Sequence, residues 1–238
     1  LEWKRTKYSR LTQKFLQYAE KLAIRKSDYL VADSIGIKKY LLEKYNVDSV
    51  YIPYGAHVFS NPEQSILKQF SLLPFEYDML IARLEPENSI EIILDGFLKT
   101  KSERMFVVIA NYKTTYGNYL KERYRKNKNI IFLGAIYDLT ILNNLRYFSN
   151  LYFHGHTVGG TNPSLLEAMA SHALIAANKN DFNSAILGND AYYFNTSDEV
   201  AQLIHDIHKN GNEQAKIISN ISKIISIYAW EKIVDKYA

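Results

Sequence analysis

No cysteine occurs among the 238 residues. That excludes disulfides and thiolate metal sites and suits a reducing cytoplasm. No apolar run approaches the roughly 20 residues that cross a bilayer, and nothing resembles a signal peptide. Internal repeats and low-complexity segments are absent as well. So are several site signatures: GxGxxG after a strand, GxxxxGK followed by Ser or Thr, and G-x-S-x-G. What remains has the composition of a folded chain, 47% hydrophobic and 23% charged. It is long enough to bury a sizeable core in one or two domains.

The net charge of +4 is unevenly spread. Lys4, Arg5, Lys7, Arg10, Lys14, Lys21, Arg25 and Lys26 stand against only Glu2 and Glu20. A basic helix at this end could lie against anionic lipid, which would put a cytoplasmic protein at the inner face of the membrane. A solvated helix face is the commoner explanation. No recognised nucleic-acid module accompanies the charge, so nucleic acid is not an expected partner. The chain starts at Leu1 inside a helical pattern, which suggests a fragment of a longer protein.

Residues 7–26 carry helical periodicity through Leu11, Phe15, Leu16, Ala19, Leu22 and Ala23. A short strand at 28–32 leads to Ser34, a cap for a helix ending near Tyr45, and 50–52 is another strand. From about residue 60 strands and helices alternate. Strands are predicted at 77–82, 105–110, 130–133, 151–153, 174–177 and 192–194. Helices are predicted at 89–99, 118–126, 139–147, 163–171 and 183–187, then at 197–209 and 213–227. Trp230, Ile233 and Val234 mark a last amphipathic segment. Asn88 with Glu91 makes a capping box for the helix that begins at 89. This alternation predicts an α/β fold, a Rossmann-like doubly wound parallel sheet, with ligands outside the carboxyl ends of its strands.

One stretch is more informative than the rest. His154-Gly155-His156-Thr157-Val158-Gly159-Gly160-Thr161-Asn162-Pro163 leaves a buried strand and enters a helix that continues Ser164-Leu165-Leu166-Glu167-Ala168-Met169-Ala170. Asn162 is a good N-cap, and Pro163 fits the first helical position. The helix opening should turn free N–H groups and a positive dipole end toward the glycine loop. Glu167 lies about one turn in, facing the occupant of that loop. A phosphate at the helix end and a carboxylate for sugar hydroxyls would suit a nucleotide-sugar. The plain alternative is a strand–loop–helix joint with a surface Glu. His154 and His156 have no third ligand near in sequence, so no metal is expected there.

The stretch resembles the donor-binding signature of the retaining GT-B glycosyltransferases of family 4. It is most similar to their rhamnosyltransferase-like branch, whose loop reads HGH, Ser or Thr, then VGGTNPSLLEAMA. Two further segments carry the likeness: Ile81 to Asn88 resembles the first strand and loop of the family's C-terminal domain, and Ile131 to Asp138 its base-binding strand and loop. This chain has Gly159 where the broad family has the first Glu of a Glu-seven-Glu pattern. It has Asn88 where that family has a diphosphate-binding Lys. Both departures fit the rhamnosyltransferase-like branch.

The resemblance implies that 1–55 is the tail of an N-terminal, acceptor-side Rossmann-like domain. It makes 56–225 the C-terminal donor-binding half of a GT-B fold and 226–238 a helix crossing back to the N-terminal piece. It implies a metal-independent, retaining transfer of a sugar, first choice rhamnose from dTDP-rhamnose and UDP-sugars next. The acceptor would be a saccharide or lipid-linked saccharide in surface polysaccharide synthesis. No cofactor is implied beyond the nucleoside-diphosphate sugar. The alternative is a nucleotide-sugar-binding module that turns nothing over by itself.

Residue by residue, Glu167 would accept from ribose hydroxyls, and Arg83 would fork onto a phosphate. Pairing of Arg83 with Glu85 or Glu87 is its alternative. Gly159, Gly160, Thr161 and Asn162 would present N–H groups and short polar side chains to diphosphate or sugar. His156 would be a phosphate or sugar donor, with His154 a core histidine. Ile136 and Tyr137 would hold the base, Tyr137 by stacking or else in the core. Asn88 serves either the diphosphate or the helix cap. Lys113 and Tyr116 would edge the cleft or stand in solvated loop.

Overall fold

Alternate residues of the central strands point to opposite sides of one sheet, and that parity divides the core into two layers. The computed structural model describes residues 3, 8–209 and 213–237. Lys4, Arg5, Lys7 and Glu2 of the basic start lie outside them. The elements are α1 (Arg10–Lys26), β1 (Val31–Ala32), α2 (Ile35–Tyr45), β2 (Val50–Tyr51), β3 (Tyr77–Ile81) and α3 (Ile90–Lys99). They continue as β4 (Met105–Ile109), α4 (Thr115–Tyr124), β5 (Ile130–Gly134), α5 (Leu139–Phe148), β6 (Tyr152–His154) and α6 (Pro163–Ala170). Last come β7 (Ile175–Asn178), α7 (Asp181–Leu187), β8 (Tyr192–Phe194), α8 (Ser197–Asp206), α9 (Gln214–Ser226) and α10 (Trp230–Asp235).

β3 to β8 form a six-stranded sheet in the order β5-β4-β3-β6-β7-β8, every pair parallel. Numbered along the sheet's own chain, that is 3-2-1-4-5-6, the doubly wound arrangement of dinucleotide-binding folds. The predicted Rossmann-like class is what forms. Tyr77, Met79, Val107, Ile109 and Tyr152 face one layer, closed by α5, α6 and α9. Leu80, Phe106, Val108 and Phe153 face the other, closed by α3, α4 and α8. Phe106 sits 5.3 Å from Phe97 and 5.7 Å from Phe153 between ring centroids. Such tilted aromatic pairs add about 0.5–1.5 kcal/mol each beyond buried area.

The N-terminal piece is a small α/β unit of its own, with β1 and β2 paired in parallel. α1 buries none of its residues, and Leu11 is 81% exposed. It is tied to α2 through Glu20, which accepts from Tyr40 (2.5 Å), Tyr45 (2.6 Å) and Lys44 (3.3 Å). Burial works against the Glu20 charge, but these donors hold its pKa below the usual value. The piece meets the rest of the chain at its far end. Ala56 bridges Ala229 in parallel, and Lys236 lies over the Tyr51 ring. Gly55 lies so close to Trp230 that a Cβ would come within 2.7 Å of the indole.

Two expectations need correction. Asn88 and Glu91 form no capping box: residues 86–88 close a 3₁₀ turn, and Ser89, at φ 52°, is the cap residue without a side-chain bond. Glu91 is drawn instead to Tyr116, Tyr119 and Arg123 of α4. The helix predicted at 118–126 begins at Thr115, because Thr114 caps it through the Gly117 N–H.

Candidate functional site

The order of the large sheet reverses between β3 and β6, and loops leaving their carboxyl ends diverge to opposite faces. A cleft opens there, about 610 Å³ in volume. Its walls come from the loops after β3 (Ala82, Arg83), β4 (Asn111), β5 (Ile136, Tyr137) and β6 (His156), and from α5 and α6. That volume lies in the range of small-molecule sites, and the position is where doubly wound sheets bind ligands.

Two turns bring the walls together. In the first, the Arg83 carbonyl accepts from the Glu85 N–H (2.9 Å) and from Asn88 Nδ2 (2.7 Å). In the second, Thr157 donates both its N–H and its hydroxyl to the Glu87 carbonyl. Gly155 makes the contact sterically feasible, since a Cβ there would lie 2.0 Å from the Asn88 oxygen. Asn88 is thus buried and spent on the turn, outside the cleft. The backbone of His156 is held from the other side by Asn180 (2.9 Å) and Asn183 (3.1 Å) of α7 and its cap.

Arg83 stands exposed on the cleft wall. Opposite it lies a pair the sequence did not suggest. Arg146 on α5 is only 1% exposed, yet its Nη2 donates to Glu167 Oε2 at 2.5 Å. Its Nη1 donates to Asn143 Oδ1 at 3.1 Å. A buried guanidinium needs such a counter-charge, because desolvation otherwise costs several kcal/mol. The Glu167 side chain is 37% exposed and lines the cleft, as its place one turn into α6 requires.

The loop itself departs from expectation. Asn162 is the N-cap, and its Oδ1 accepts from the Ser164 N–H at 2.9 Å. Pro163 has no N–H, and Leu165 donates to the Asn162 carbonyl. The first turn of α6 therefore presents no free N–H, only the positive end of its dipole. Gly160 and Thr161 turn toward the N-terminal piece. Thr161 is buried and its hydroxyl donates to the Asp33 carbonyl. A Cβ on Gly160 would lie 2.1 Å from Asp33 Oδ1. Gly159, at φ 153°, has open space around it, and with Gly160 borders a small side pocket shared with His156 and Asn162. Burial pushes the Asp33 carboxyl pKa up.

Tyr137 is 85% exposed at the cleft rim, which excludes a core role, and Ile136 is half-buried beneath it. His154 is buried, and its ring stacks on His156 at 4.4 Å and 13°. Burial first, and His156 second, hold the His154 pKa well below the ordinary imidazole value. Tyr116 turns to Glu91, and neither it nor Lys113 borders the cleft. Among the described residues no group of three His, Cys, Asp or Glu side chains is placed to hold a metal ion. No helix there is long and apolar enough to cross a membrane.

A cleft at this crossover, with one arginine open and another paired to a carboxylate, can be set against known proteins. The glucose- and UDP-bound structure of HepE (Alr3699) from Anabaena superposes with a TM-score of 0.80 at 18% identity, over 97% of this chain and 66% of that one. A glycosyltransferase from Rickettsia africae gives 0.77 at 16%, over 94% and 65%. Sucrose-phosphate synthase from Thermosynechococcus elongatus gives 0.77 at 14%, over 96% and 62%. The chain shares their fold. It spans less than two thirds of the length of each. A family model described as a domain of unknown function (DUF1972) matches residues 1–57. None of the curated proteins matches the chain in sequence.

Of the residues predicted for the site, Arg83, Ile136, Tyr137, His156, Asn162 and Glu167 line the cleft. Gly159 and Gly160 lie beside it, and Asn88 and Thr161 do not reach it. Arg146 escaped sequence reading because an arginine between Leu145 and Tyr147 looks like the solvent edge of an amphipathic helix. A count of helical phase from Leu142 was the available signal, since it places 146 on the same face.

Proposed function

We propose that the cleft binds a nucleoside-diphosphate sugar and that this chain is the donor-side part of a glycosyltransferase. The observation that carries the reading is the cleft at the β3–β6 crossover, with Arg83 on one wall and the Arg146–Glu167 pair on the other. HepE, of the same fold, was solved with UDP and glucose and with UDP-glucose, which supports the assignment. Arg83 and the dipole of α6 would neutralise the leaving diphosphate as its charge develops, an electrostatic contribution to the transition state. Glu167 would accept from the pentose, and Ile136 and Tyr137 would cover the base.

In finer terms the reading is of a retaining, metal-independent enzyme of the family 4 type. Rhamnose from dTDP-rhamnose is the first choice of donor, and a saccharide or lipid-linked saccharide of a surface polysaccharide the acceptor. Residues 1–55 would belong to the acceptor-side half, 56–225 to the donor half, and 226–238 would return to the first. The stripe Leu11, Phe15, Tyr18 and Leu22 of α1, flanked by Lys14, Lys21 and Arg25, would rest on anionic lipid at the cytoplasmic face. A second reading, binding without turnover, is favoured by one fact: the chain spans only 66% of the HepE structure.

Calorimetric titration with dTDP, UDP and GDP tests the central claim. One of them should bind, and Glu167→Gln should weaken it by about 1–3 kcal/mol, the range for a lost charged hydrogen bond. Failure of all three to bind a folded sample would sink the reading.

A further inference from the structure

A smaller pocket, about 100 Å³ in volume, lies at the amino end of the large sheet, away from the cleft. It is enclosed by Phe75 at the entry to β3, Tyr147 of α5, His172 after α6, Lys209 after α8, and Gln214 and Ile217 of α9. Lys209 is fixed there by its backbone, whose N–H donates to Asn150 Oδ1 at 2.8 Å. Its Nζ donates to the Tyr147 carbonyl and stands 5.5 Å from the centre of the Phe75 ring and 5.3 Å from that of Tyr147. Among the described residues no carboxylate lines the pocket. Asp78, bonded to the same Asn150, is paired with Arg104 at 3.2 Å. His172 and Tyr147 are the titratable groups that share the walls with Lys209.

An ammonium without a counter-charge is disfavoured in such a place, and burial alone brings the Lys209 pKa down to about 7. About half of it is then free amine at pH 7, against roughly one part in 2,500 for a lysine with the ordinary pKa near 10.4. The free amine keeps its bond to the Tyr147 carbonyl through one N–H and has a lone pair left for an electrophile. A base stands in the same wall. His172 Nε2 lies 3.1 Å from the Phe59 carbonyl, which can only accept, so Nε2 carries the hydrogen and Nδ1 is bare. Burial, partly offset by the Phe59 carbonyl, and the charge of Lys209 keep the His172 pKa below the ordinary value, so its ring is neutral at pH 7. Both side chains are only half-buried, which leaves the pocket a mouth to solvent. A desolvated lysine beside an oriented base is the arrangement that activates an amine as nucleophile.

We propose that Lys209 is a site of covalent acylation by small acyl phosphates, with His172 as the base. An acetyl-sized group matches the volume, and its methyl suits the rings of Phe75 and Tyr147. In the step the Lys209 nitrogen bonds to the acyl carbon and the carbon–oxygen bond to phosphate breaks. Inorganic phosphate leaves, and His172 Nδ1 takes the proton that the amine gives up. The product is a neutral amide, which an uncharged pocket holds at less cost than an ammonium. The site shares no residue with the cleft, so it stands or falls separately from the nucleotide reading.

The experiment incubates the chain with acetyl phosphate at pH 6, 7, 8 and 9 and follows each lysine by peptide mass spectrometry. The exposed Lys101 and Lys128 serve as references within the same molecule. At pH 7 Lys209 should be acetylated about tenfold faster than either, and its rate should level off above about pH 7 while theirs climb about tenfold per pH unit. A lysine that is merely a packed cation would react more slowly than the references and follow their pH profile. Either of those results overturns the proposal. His172→Asn, a residue that tolerates the left-handed backbone of φ 55° at this position, should slow Lys209 at least about threefold and leave the references unchanged. An unchanged rate at Lys209 in that variant overturns the pairing of amine and base. If the variant does not fold, the wild-type rates and their pH profile decide.

Discussion

His154 is a basic side chain shut into an apolar wall, with no hydrogen-bond partner for either ring nitrogen. Its folded pKa lies well below the ordinary value, so the fold requires the neutral ring. The unfolded chain takes up a proton near pH 6.5, and between the two pKa values it binds more protons than the folded one. Stability should therefore be full above about pH 7 and fall by about 1.4 kcal/mol per pH unit as pH drops below about 6.5, until the buried ring itself protonates. Urea midpoints at pH 7.5, 6 and 5 measure this. His154→Phe keeps a ring to stack on His156 and should flatten the slope by one proton; an equal slope in both proteins would refute the assignment. At this scale the sequence revealed residues whose role is local. Asn162 as cap and Glu167 one turn later follow from spacing alone. Arg146 and Asp33 did not emerge, because their partners lie 21 and 128 residues away along the chain and only the fold joins them.

Between elements α3 fits closely on α8, where Gly96 has no room for a side chain. A Cβ there would come within 2.5 Å of Val200 and 2.7 Å of the Ser197 carbonyl. Alanine is the better helix former by about 1 kcal/mol, yet Gly96→Ala should destabilise the protein by about 1–3 kcal/mol, the usual cost of overfilling a core. Adding Val200→Ala should return part of that loss, which a double-mutant cycle in denaturant would reveal. Additive losses would mean that Val200 is not what the new methyl meets. The strands of the large sheet were legible to within about a residue, since strands covered on both faces read as unbroken apolar runs. The 3₁₀ helix Gln64–Phe70 was not, because its Ile66, Leu67 and Phe70 lie in a polar stretch too short for a periodic signal. Asn88 misled for another reason: a capping side chain and a turn-closing one look alike in sequence, and Ser89 in a left-handed conformation decides between them.

For the whole molecule the question is how the first part of the chain is held to the rest. Its attachments are few and close. Asp33 lies against Gly160 and Thr161, Gly36 against the Phe182 ring, and Gly55 against Trp230. The Ala56 N–H donates to the Tyr228 carbonyl at 2.8 Å. Gly160→Ala places a methyl group on the Asp33 carboxylate and should loosen this seam while sparing the large sheet. Hydrogen exchange should then quicken in α2, β1 and β2 and stay unchanged in β3 to β7. Uniform protection in all of them would mean that the piece is held elsewhere. Every anchor of that seam follows the segment it holds in the order of translation, Ala229 and Lys236 last of all. At roughly 5–20 residues per second, Ala229 leaves the ribosome on the order of ten seconds or more after Ala56. During that interval Tyr51, Gly55 and Ala56 wait without the segment that finally covers them.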